Sequence, residues 1–423
     1  MSALTLANKK NLIMKHLPIT IATLAIVAFV SCEKIGGDND KNNPYKPLEL
    51  TTKSAEFVQK GNDFSVEFID RIDAVAKSDY IISPLSMQFL LGMVLDGAQQ
   101  QTADEICTVL GYGQGEKEAV DQYCLSMLEQ LPNMDKKTKL TIANALFADK
   151  DMPVLDAYKE NAIKFYKAEI ANLDFSNGAS SLKTINDWCS KNTNGMIPKV
   201  LDNVTTDIPL YLFNAMYFKG EWKEKFKTSD TADETFTNEG GAQAKVKMMK
   251  HTKNHEYTEN DVFQAVSLAY GNSAFSMVVL LPKTGHKVAD AIASLKETGW
   301  DELRHQMYTH DVDLWLPKFE TKYGIRLNDI LISMGMPLAF DDQRANFSAL
   351  SDFPLYLKYV QQDAIIKVDE EGTEAAVVSH AGFGKMDAGP SPAVTFHADH
   401  PFVYLITEKS TGAILFAGKY SGE

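Results

Sequence analysis

The sequence predicts a single α+β domain built around a large β-sheet, and three observations support that fold class. Helical patterns are concentrated in the first half of the chain, and strand-like runs are concentrated in the second half. From Thr51 onward the sequence contains no linker, internal repeat or low-complexity stretch. With 423 residues, of which 45% are hydrophobic, the chain is long enough for one mixed domain with a sizeable core.

The helical half contains one amphipathic pattern and two sets of helix-start residues. Ser83 followed by Pro84 is typical of an N-cap and a first turn, and the helix they begin should end near Gly97. Thr102 and Glu105 have the spacing of a capping box, which predicts the start of a further helix. Earlier in the chain, apolar residues recur at helical spacing at Phe57, Phe64, Phe68, Ile72 and Val75.

The strand-like runs are apolar or alternating stretches that are bounded by turn residues. We expect strands at residues 140–148, 210–218, 275–281, 311–319, 402–407 and 414–417. In the fourth of these runs Val312, Leu314 and Leu316 occupy alternate positions, which is typical of a strand with one buried face. Strands and helices in this order predict one mixed domain with a large sheet.

The charge balance restricts the class of partner. The formal net charge is −14, and residues 1–31 hold three lysines and no acid, so the rest of the chain is more acidic still. An acidic surface repels a phosphate backbone, so we expect no nucleic-acid partner. We expect a monomer.

The N-terminus has the pattern of an export signal. A basic start at Met14, Lys15 and His16 precedes an apolar stretch over residues 17–30, which is too short to span a membrane. Met14 is therefore the expected true start. Cys32 stands where bacterial lipoprotein signals are cleaved, and the segment resembles a lipobox, although Phe29 replaces the usual leucine.

These features predict a signal peptide over residues 1–31, a lipidated Cys32 with a flexible tether over residues 32–50, and a domain over residues 51–423. The expected location is outside the inner membrane, on the outer membrane or cell surface of a bacterium, with a lipid anchor in the membrane. The alternative is a soluble secreted protein with an unrelated cysteine.

One segment between two strand patterns does not have the composition of a core. Residues 369–381 are mostly small, compatible with a strand and free of proline, whereas residues 382–392 are rich in glycine and proline. We interpret the segment as an exposed loop whose first half can become a strand.

This segment resembles the reactive loop of the serpin family. The hinge pattern of inhibitory members is matched by Glu370, Glu371, Gly372, Thr373, Glu374, Ala375 and Ala376. Further matches in family order begin at Tyr80, Phe213, Lys247, Leu316, Asp399 and Leu415, so the resemblance covers about residues 54–420. It implies the serpin fold, with helices packed on a large central mixed sheet, smaller sheets, and an exposed reactive loop over residues 370–400 near the C-terminus.

The resemblance also implies an irreversible suicide-substrate inhibitor of serine proteases, and cysteine proteases are a further target class. The cleaved loop would insert into the central sheet and trap the acyl-enzyme. Strand periodicity then directs every second hinge residue into the core. Those residues are all small or of modest size: Thr373, Ala375, Val377, Ser379 and Ala381.

The resemblance implies a sheet-opening region that includes Ser83, Ser86 and Asn214, with Trp222, Lys318 and Glu370 where the loop first inserts. Ser83 has the competing interpretation of a helix cap alone. Where the family usually has histidine, this chain has Gln362, so we expect closure of the sheet to depend less on pH. A Lys318–Glu370 ion pair would contribute little if it were exposed.

Counting fourteen residues from Gly372, as the family register runs, places the reactive bond at Met386–Asp387. Met386 suits an elastase-like or chymotrypsin-like protease. The alternative bond, Lys385–Met386, suits a trypsin-like protease.

The remaining signals predict no catalysis, metal or cofactor. His251 and His255 stand four apart, but the lysines around them favour a solvated turn over a zinc site. Cys107, Cys124 and Cys189 lie in apolar helical patterns and are expected to be core thiols. The alternative to an inhibitor is a non-inhibitory serpin-fold binding protein whose loop is cleaved as a plain substrate.

Overall fold

Two β-sheets, of nine and six strands, form the frame of the described molecule, a computed structural model covering residues 41–373 and 393–422. Helices lie at α1 (Thr52–Asp73), α2 (Pro84–Gly97), α3 (Gln100–Leu110), α4 (Lys117–Gln130), α5 (Asp156–Tyr166), α6 (Gly178–Asn192), α7 (Val288–Thr298), α8 (Trp300–His305) and α9 (Asn328–Met334). The strands are β1 (Tyr80–Ile82), β2 (Thr138–Asp149), β3 (Glu169–Leu173), β4 (Leu210–Glu221), β5 (Ala232–Thr237), β6 (Gln243–Glu259), β7 (Phe263–Ala269), β8 (Phe275–Pro282), β9 (Tyr308–Pro317), β10 (Phe319–Arg326), β11 (Gln361–Asp369), β12 (Gly372–Thr373), β13 (Val394–His397), β14 (Phe402–Glu408) and β15 (Ile414–Tyr420).

The six-stranded sheet has the order β10-β11-β12-β4-β2-β3. The short strand β12 runs antiparallel to both of its neighbours, β11 and β4. Within the described residues, β4 and β11 form no hydrogen-bonded register with each other. The nine-stranded sheet follows β1-β15-β14-β8-β7-β6-β9-β13, and β5 pairs with β6.

Helix α2 forms the centre of the core because it is apolar around nearly its whole circumference. Ser83 caps it by accepting a hydrogen bond from the backbone N–H of Ser86, and Pro84 occupies its first turn, as expected from the sequence. The helix packs against β4 and β15, and so against both sheets.

Three details of the sequence prediction were wrong. The helix assigned to the Thr102 capping box begins earlier, at Gln100, and the Thr102 hydroxyl instead accepts a hydrogen bond from the backbone N–H of Asn346. The amphipathic helix ends at Asp73, so Val75 lies beyond it and is exposed. The run 311–319 is two strands, because β9 ends at Pro317 and β10 begins at Phe319.

The flexible tether is also shorter than expected, because its last residues are held against the domain. Asn43 is buried, and its side-chain amide donates a hydrogen bond to Asp135 Oδ1 at 2.7 Å. Leu48 is buried too, and its backbone N–H reaches the hydroxyl of Ser410 at 3.0 Å. Residues 43–50 therefore belong to the folded part. Across residues 41–373 and 393–422, no helix combines the length and apolar character that a membrane span requires.

Candidate functional site

The hinge of the loop begins as a strand in the middle of the six-stranded sheet. In β12, Gly372 pairs with Glu221 of β4 and with Asp369 of β11, while Thr373 pairs with Gly220 and Val368. Gly372 has a φ of +150° and lies so close to β4 that a Cβ atom would come within 2.0 Å of the Gly220 carbonyl oxygen. Only glycine fits this position without strain.

Thr373 enters the interior, as strand periodicity predicted. It is 3% exposed, and its hydroxyl lies 2.8 Å from the hydroxyl of Tyr270. Burial raises the pKa of Tyr270 well above its usual range, so the phenol stays neutral and can share this bond. The later members of the same series lie outside the described residues: Ala375, Val377, Ser379 and Ala381.

Residues 222–226, which follow β4 and form what we call the hinge-binding segment, bind the backbone of the hinge through three hydrogen bonds. The backbone N–H of Trp222 donates to the carbonyl of Glu371 at 2.8 Å, and its indole N–H donates to the carbonyl of Asp369 at 2.9 Å. The N–H of Phe226 donates to the carbonyl of Glu370 at 3.1 Å. Trp222 thus contacts the hinge directly, and its ring stacks on Tyr270 at 4.4 Å.

The two hinge glutamates within the described residues are paired with lysines. Lys318 Nζ lies 2.6 Å from Glu370, and Lys225 Nζ lies 2.6 Å from Glu371. The side chain of Glu370 is only 8% exposed, so the condition under which the Lys318 pair would contribute little, exposure to solvent, is not met on that side. Burial alone would raise the pKa of Glu370, but hydrogen bonds from Lys318 and Thr231 outweigh it and hold that pKa below its usual value.

The residues predicted for the sheet-opening region form two separate hydrogen-bonded groups. In the first, Gln362 of β11 accepts from the backbone N–H of Ser83 and donates to its carbonyl, both at 2.9 Å. The Ser83 hydroxyl also donates to the carbonyl of Leu415 at 2.7 Å. Ser83 is therefore a helix cap and a bridge between the two sheets at once, and Ser86 takes part through the cap.

The second group lies across the gap between β4 and β11, which we call the sheet gap. Asn214 of β4 donates to Asn144 Oδ1 at 2.7 Å, and Asn144 donates to the carbonyl of Tyr166 at 2.7 Å. Among the described residues, the buried Oδ1 of Asn214 has no hydrogen-bond partner. The two groups share a cavity of about 360 Å³ between β4 and β11, whose lining includes Ser83, Ser86, Asn214 and Gln362.

Part of the predicted site falls outside the described residues. These positions are Cys32, Glu374, Ala375, Ala376, Lys385, Met386 and Asp387. Sequence reasoning in turn missed Lys225, Thr231 and Tyr270, which contact hinge residues at least 103 positions away in the chain. The alternating charges of residues 221–227 are typical of a solvated segment, but Trp222 and Phe226 within it are buried, and no local pattern reveals that it contacts the hinge.

The structure locates the cysteines and the two histidines to which the sequence analysis assigned no catalytic or metal-binding role. Cys107, Cys124 and Cys189 are buried free thiols, and burial raises the pKa of Cys189 to about 12. Across the described ranges, no group of three or more His, Cys, Asp or Glu residues could hold a metal ion. His251 and His255 do not form the solvated turn we expected: both belong to β6, and His255 is buried.

Comparisons with known proteins agree with this architecture. A family model described as "Serpin (serine protease inhibitor)" matches residues 59–422. The chain is 30% identical to an uncharacterized serpin-like protein of Methanosarcina mazei, over 95% of this chain and 96% of that one. It is also 30% identical to human Serpin B3, over 85% of this chain and 97% of that one.

Solved structures of the same family superpose on the chain. The native state of the thermophilic serpin tengpin is 29% identical, covers 90% of this chain and 97% of its own, and superposes with a TM-score of 0.80. A thyroxine-binding globulin complexed with thyroxine is 25% identical, covers 86% of this chain and 98% of its own, and gives a TM-score of 0.76. The predicted serpin fold, with helices on a large mixed sheet and a second sheet, is confirmed. The chain belongs to the serpin family.

Proposed function

We propose that this protein is an irreversible suicide-substrate inhibitor of serine proteases, and that it catalyses no reaction itself. Serpins are in general protease inhibitors, which supplies the broad class. The observation that carries the finer proposal is the position of the hinge. Gly372 and Thr373 already form a strand between β4 and β11, in the register that a longer inserted strand would continue.

The chemistry belongs to the protease, and this chain supplies the substrate and the trap. The serine Oγ of the protease attacks the carbonyl carbon of the reactive bond and forms an ester, while the new amino terminus leaves with the proton delivered by the protease histidine. Water would normally hydrolyse this ester and release the active protease. Insertion of the cut loop moves the attached protease to the opposite end of the sheet, about 45 Å away, before water can act.

The sheet gap provides both the room and the driving force for insertion. The cavity between β4 and β11 lies along the path that continues from Thr373. An inserted strand would make on the order of ten new backbone hydrogen bonds, each contributing about 0.5–1.5 kcal/mol. That sum is comparable to the whole stability of a typical domain, about 5–15 kcal/mol. Insertion is therefore effectively irreversible.

The reactive bond of this proposal is Met386–Asp387, with Lys385–Met386 as the alternative. Cleavage at the first bond indicates an elastase-like or chymotrypsin-like target, and cleavage at the second indicates a trypsin-like target. Cysteine proteases form a thioester in the same position and are included in the target class.

We also propose that the protein acts outside a bacterial cell as a lipid-anchored monomer. The support is the apolar stretch over residues 17–30 followed by Cys32. Mass analysis of the mature N-terminus tests it: a diacylglycerol group on Cys32 is expected, and an unmodified terminus elsewhere contradicts the anchor.

The inhibitor proposal is tested by incubating residues 33–423 with trypsin and with an elastase, followed by denaturing gels and mass analysis of the released fragment. A protease–inhibitor band that survives denaturation is expected, together with a C-terminal fragment beginning at Asp387. A fragment beginning at Met386 identifies Lys385 as the specificity residue instead. The matched control is Thr373→Arg, because a charged side chain cannot occupy the buried position beside Tyr270.

A second function is favoured by one observation, the similarity to the thyroxine-binding globulin complex. In that case the protein would be a serpin-fold binding protein whose loop is cleaved as a plain substrate. Proteases that cut the loop of the unsubstituted chain and leave fully active, with no gain in thermal stability of the cut protein, would support this alternative and refute the inhibitor.

A further inference from the structure

A pair of histidines lies behind the segment that binds the hinge. His251 and His255 lie on the same face of β6, and their Nε2 atoms are 2.9 Å apart. Their rings stack with centroids 5.1 Å apart. His255 is 7% exposed and His251 is partly buried. Two imidazoles that face each other so closely share a single proton on the line between them.

One aromatic ring connects this pair to the hinge. The ring of Phe226 stacks on His251 with centroids 4.1 Å apart and an interplanar angle of 9°. The backbone N–H of the same Phe226 donates to the carbonyl of Glu370. A change in the position of His251 therefore moves a residue that binds the hinge directly.

The hydrogen-bonding partners assign the protons of the neutral pair. The Ser267 backbone accepts from His255, so His255 carries its proton on the side away from His251 and accepts at Nε2. His251 then donates from Nε2. Within the described part of the chain its buried Nδ1 makes no hydrogen bond of normal geometry, although the Lys225 backbone lies close enough to favour a proton on this ring. A first added proton must go to that Nδ1, and a second would place two N–H groups against each other.

The charges around the pair oppose one another, because Lys253 disfavours an added proton whereas Glu224 favours one at His255. Lys253 lies on the same strand, and its ammonium pairs with Glu224 of the hinge-binding segment only at 3.7 Å. The Lys225 ammonium is engaged with Glu371. Opposite the pair, β9 presents the apolar Leu314 and the exposed His310, and β7 presents the Ser267 backbone without a carboxylate.

These surroundings keep the pair neutral in the closed hinge. Burial, followed by His255 and Lys253, lowers the pKa of His251 to about 3. Burial also lowers the pKa of His255. When the hinge-binding segment lifts, both rings reach water and return toward the ordinary pKa of about 6.5. Acid therefore favours the open state.

We propose that the His251–His255 pair makes release of the hinge dependent on pH. The neutral pair supports Phe226 in its contact with Glu370, and protonation of the pair in mild acid frees the loop to insert. This regulation rests on the proposed function, because it concerns the rate at which the same loop enters the sheet. It lies at the hinge, apart from the Ser83–Gln362 contact, which has no titrating group.

The size of the pH effect follows from the linkage between proton binding and opening of the hinge-binding segment. One imidazole with a pKa of about 6.5 when open and about 3 when closed, as for His251, raises the open population roughly tenfold between pH 7.5 and 5.5 and about fourfold between pH 8 and 6. The pKa of His255 is also lowered in the closed state, so its ring multiplies this factor, and the two rings together give up to about a hundredfold between pH 7.5 and 5.5.

The experiment is hydrogen exchange of the Trp222 and Phe226 amides at pH 7.5 and 5.5, corrected for intrinsic exchange rates. In the unsubstituted chain, where both rings titrate, we expect protection to fall by more than tenfold and up to about a hundredfold between the two values. His255→Gln keeps a hydrogen-bonding group beside His251 but leaves only one titrating ring; we expect its change to be much smaller. His286→Gln, at an exposed histidine far from the hinge, should behave like the unsubstituted chain.

Equal protection at the two pH values in the unsubstituted chain would overturn the proposal, as would an equal loss in His255→Gln. If His255→Gln does not fold, histidine ring NMR of the unsubstituted chain decides instead, since two rings must stay neutral at pH 5.5 while exposed ones titrate. Covalent trapping at pH 7.5 is measured separately. Its failure removes the inhibitor proposal, whereas exchange of these two amides reports the hinge alone.

Discussion

Replacing Gln362 by leucine should weaken the closed sheet by a measurable amount. The Gln362 side chain makes two hydrogen bonds to the backbone of Ser83, and both residues are buried. Leucine has a similar volume but no polar atom, so it leaves the N–H of Ser83 buried without a partner. The carbonyl of Ser83 keeps one bond, because the N–H of Met87 still donates to it at 3.1 Å.

The two bonds therefore contribute unequally. A buried N–H without a partner costs about 1–3 kcal/mol, and loss of the second bond to a carbonyl that keeps a partner costs about 0.5–1.5 kcal/mol. We expect the free energy of unfolding to fall by about 2–4 kcal/mol, which is a large share of a typical domain stability of about 5–15 kcal/mol. The variant should also insert its uncut loop more readily on mild heating.

The assay is urea unfolding followed by tryptophan fluorescence, with Gln361→Leu as the matched control. Gln361 is the neighbouring residue of β11, is exposed, and bonds only to Asp363 among the described residues. With a denaturant slope of about 1–3 kcal/mol per molar urea, the Gln362→Leu midpoint should drop by about 1 M or more. Midpoints that agree between the two variants would refute the assignment of Gln362 as a closing contact.

Three further outcomes follow from the site. Gly372→Ala places a Cβ atom against the Gly220 carbonyl, so we expect strain of about 1–3 kcal/mol and a corresponding shift from covalent trapping to plain cleavage, read from the stoichiometry of inhibition. Lys318→Met removes the ammonium partner of buried Glu370, so we expect a loss of about 1–3 kcal/mol at pH 7. Because the pKa of that carboxyl is lowered in the fold, the loss should shrink only as the pH falls below 4.5 and through the lowered pKa, which unfolding at pH 7 and at about pH 3 checks. Cys189 should resist alkylation at pH 8 until the protein is unfolded, because burial raises its pKa to about 12; rapid labelling of the folded chain would contradict this.

Much of the fold could be predicted from local patterns. The apolar runs that became β4, β8 and β14 were located to within about three residues, because alternation and apolar runs bounded by turn residues are local properties. β6 escaped prediction because the three residues between its histidines, Thr252, Lys253 and Asn254, are polar and exposed, so the two histidines were assigned to a turn. A strand with one solvated face and a polar composition has almost no period to detect.

The site was predictable only in part. Family resemblance supplied Trp222, Glu370 and Gln362, and the structure brings each of them to the hinge or the sheet gap. Contacts such as Thr373 with Tyr270 join residues 103 positions apart, and the sequence around either residue contains no sign of the other. Such pairs are created by the topology of the sheets.

The direction of the strands also determines the lifetime of a working molecule. Since β12 is antiparallel to both β4 and β11, those two strands run parallel to each other. Loop insertion would therefore add two antiparallel ladders, the more stable type, in a gap where the described parts of β4 and β11 form no register with each other. To reset the molecule, both ladders would have to separate at once, and no pairing between β4 and β11 would replace them. On the proposed mechanism each copy is consumed after one encounter, and protection is set by the rate of synthesis.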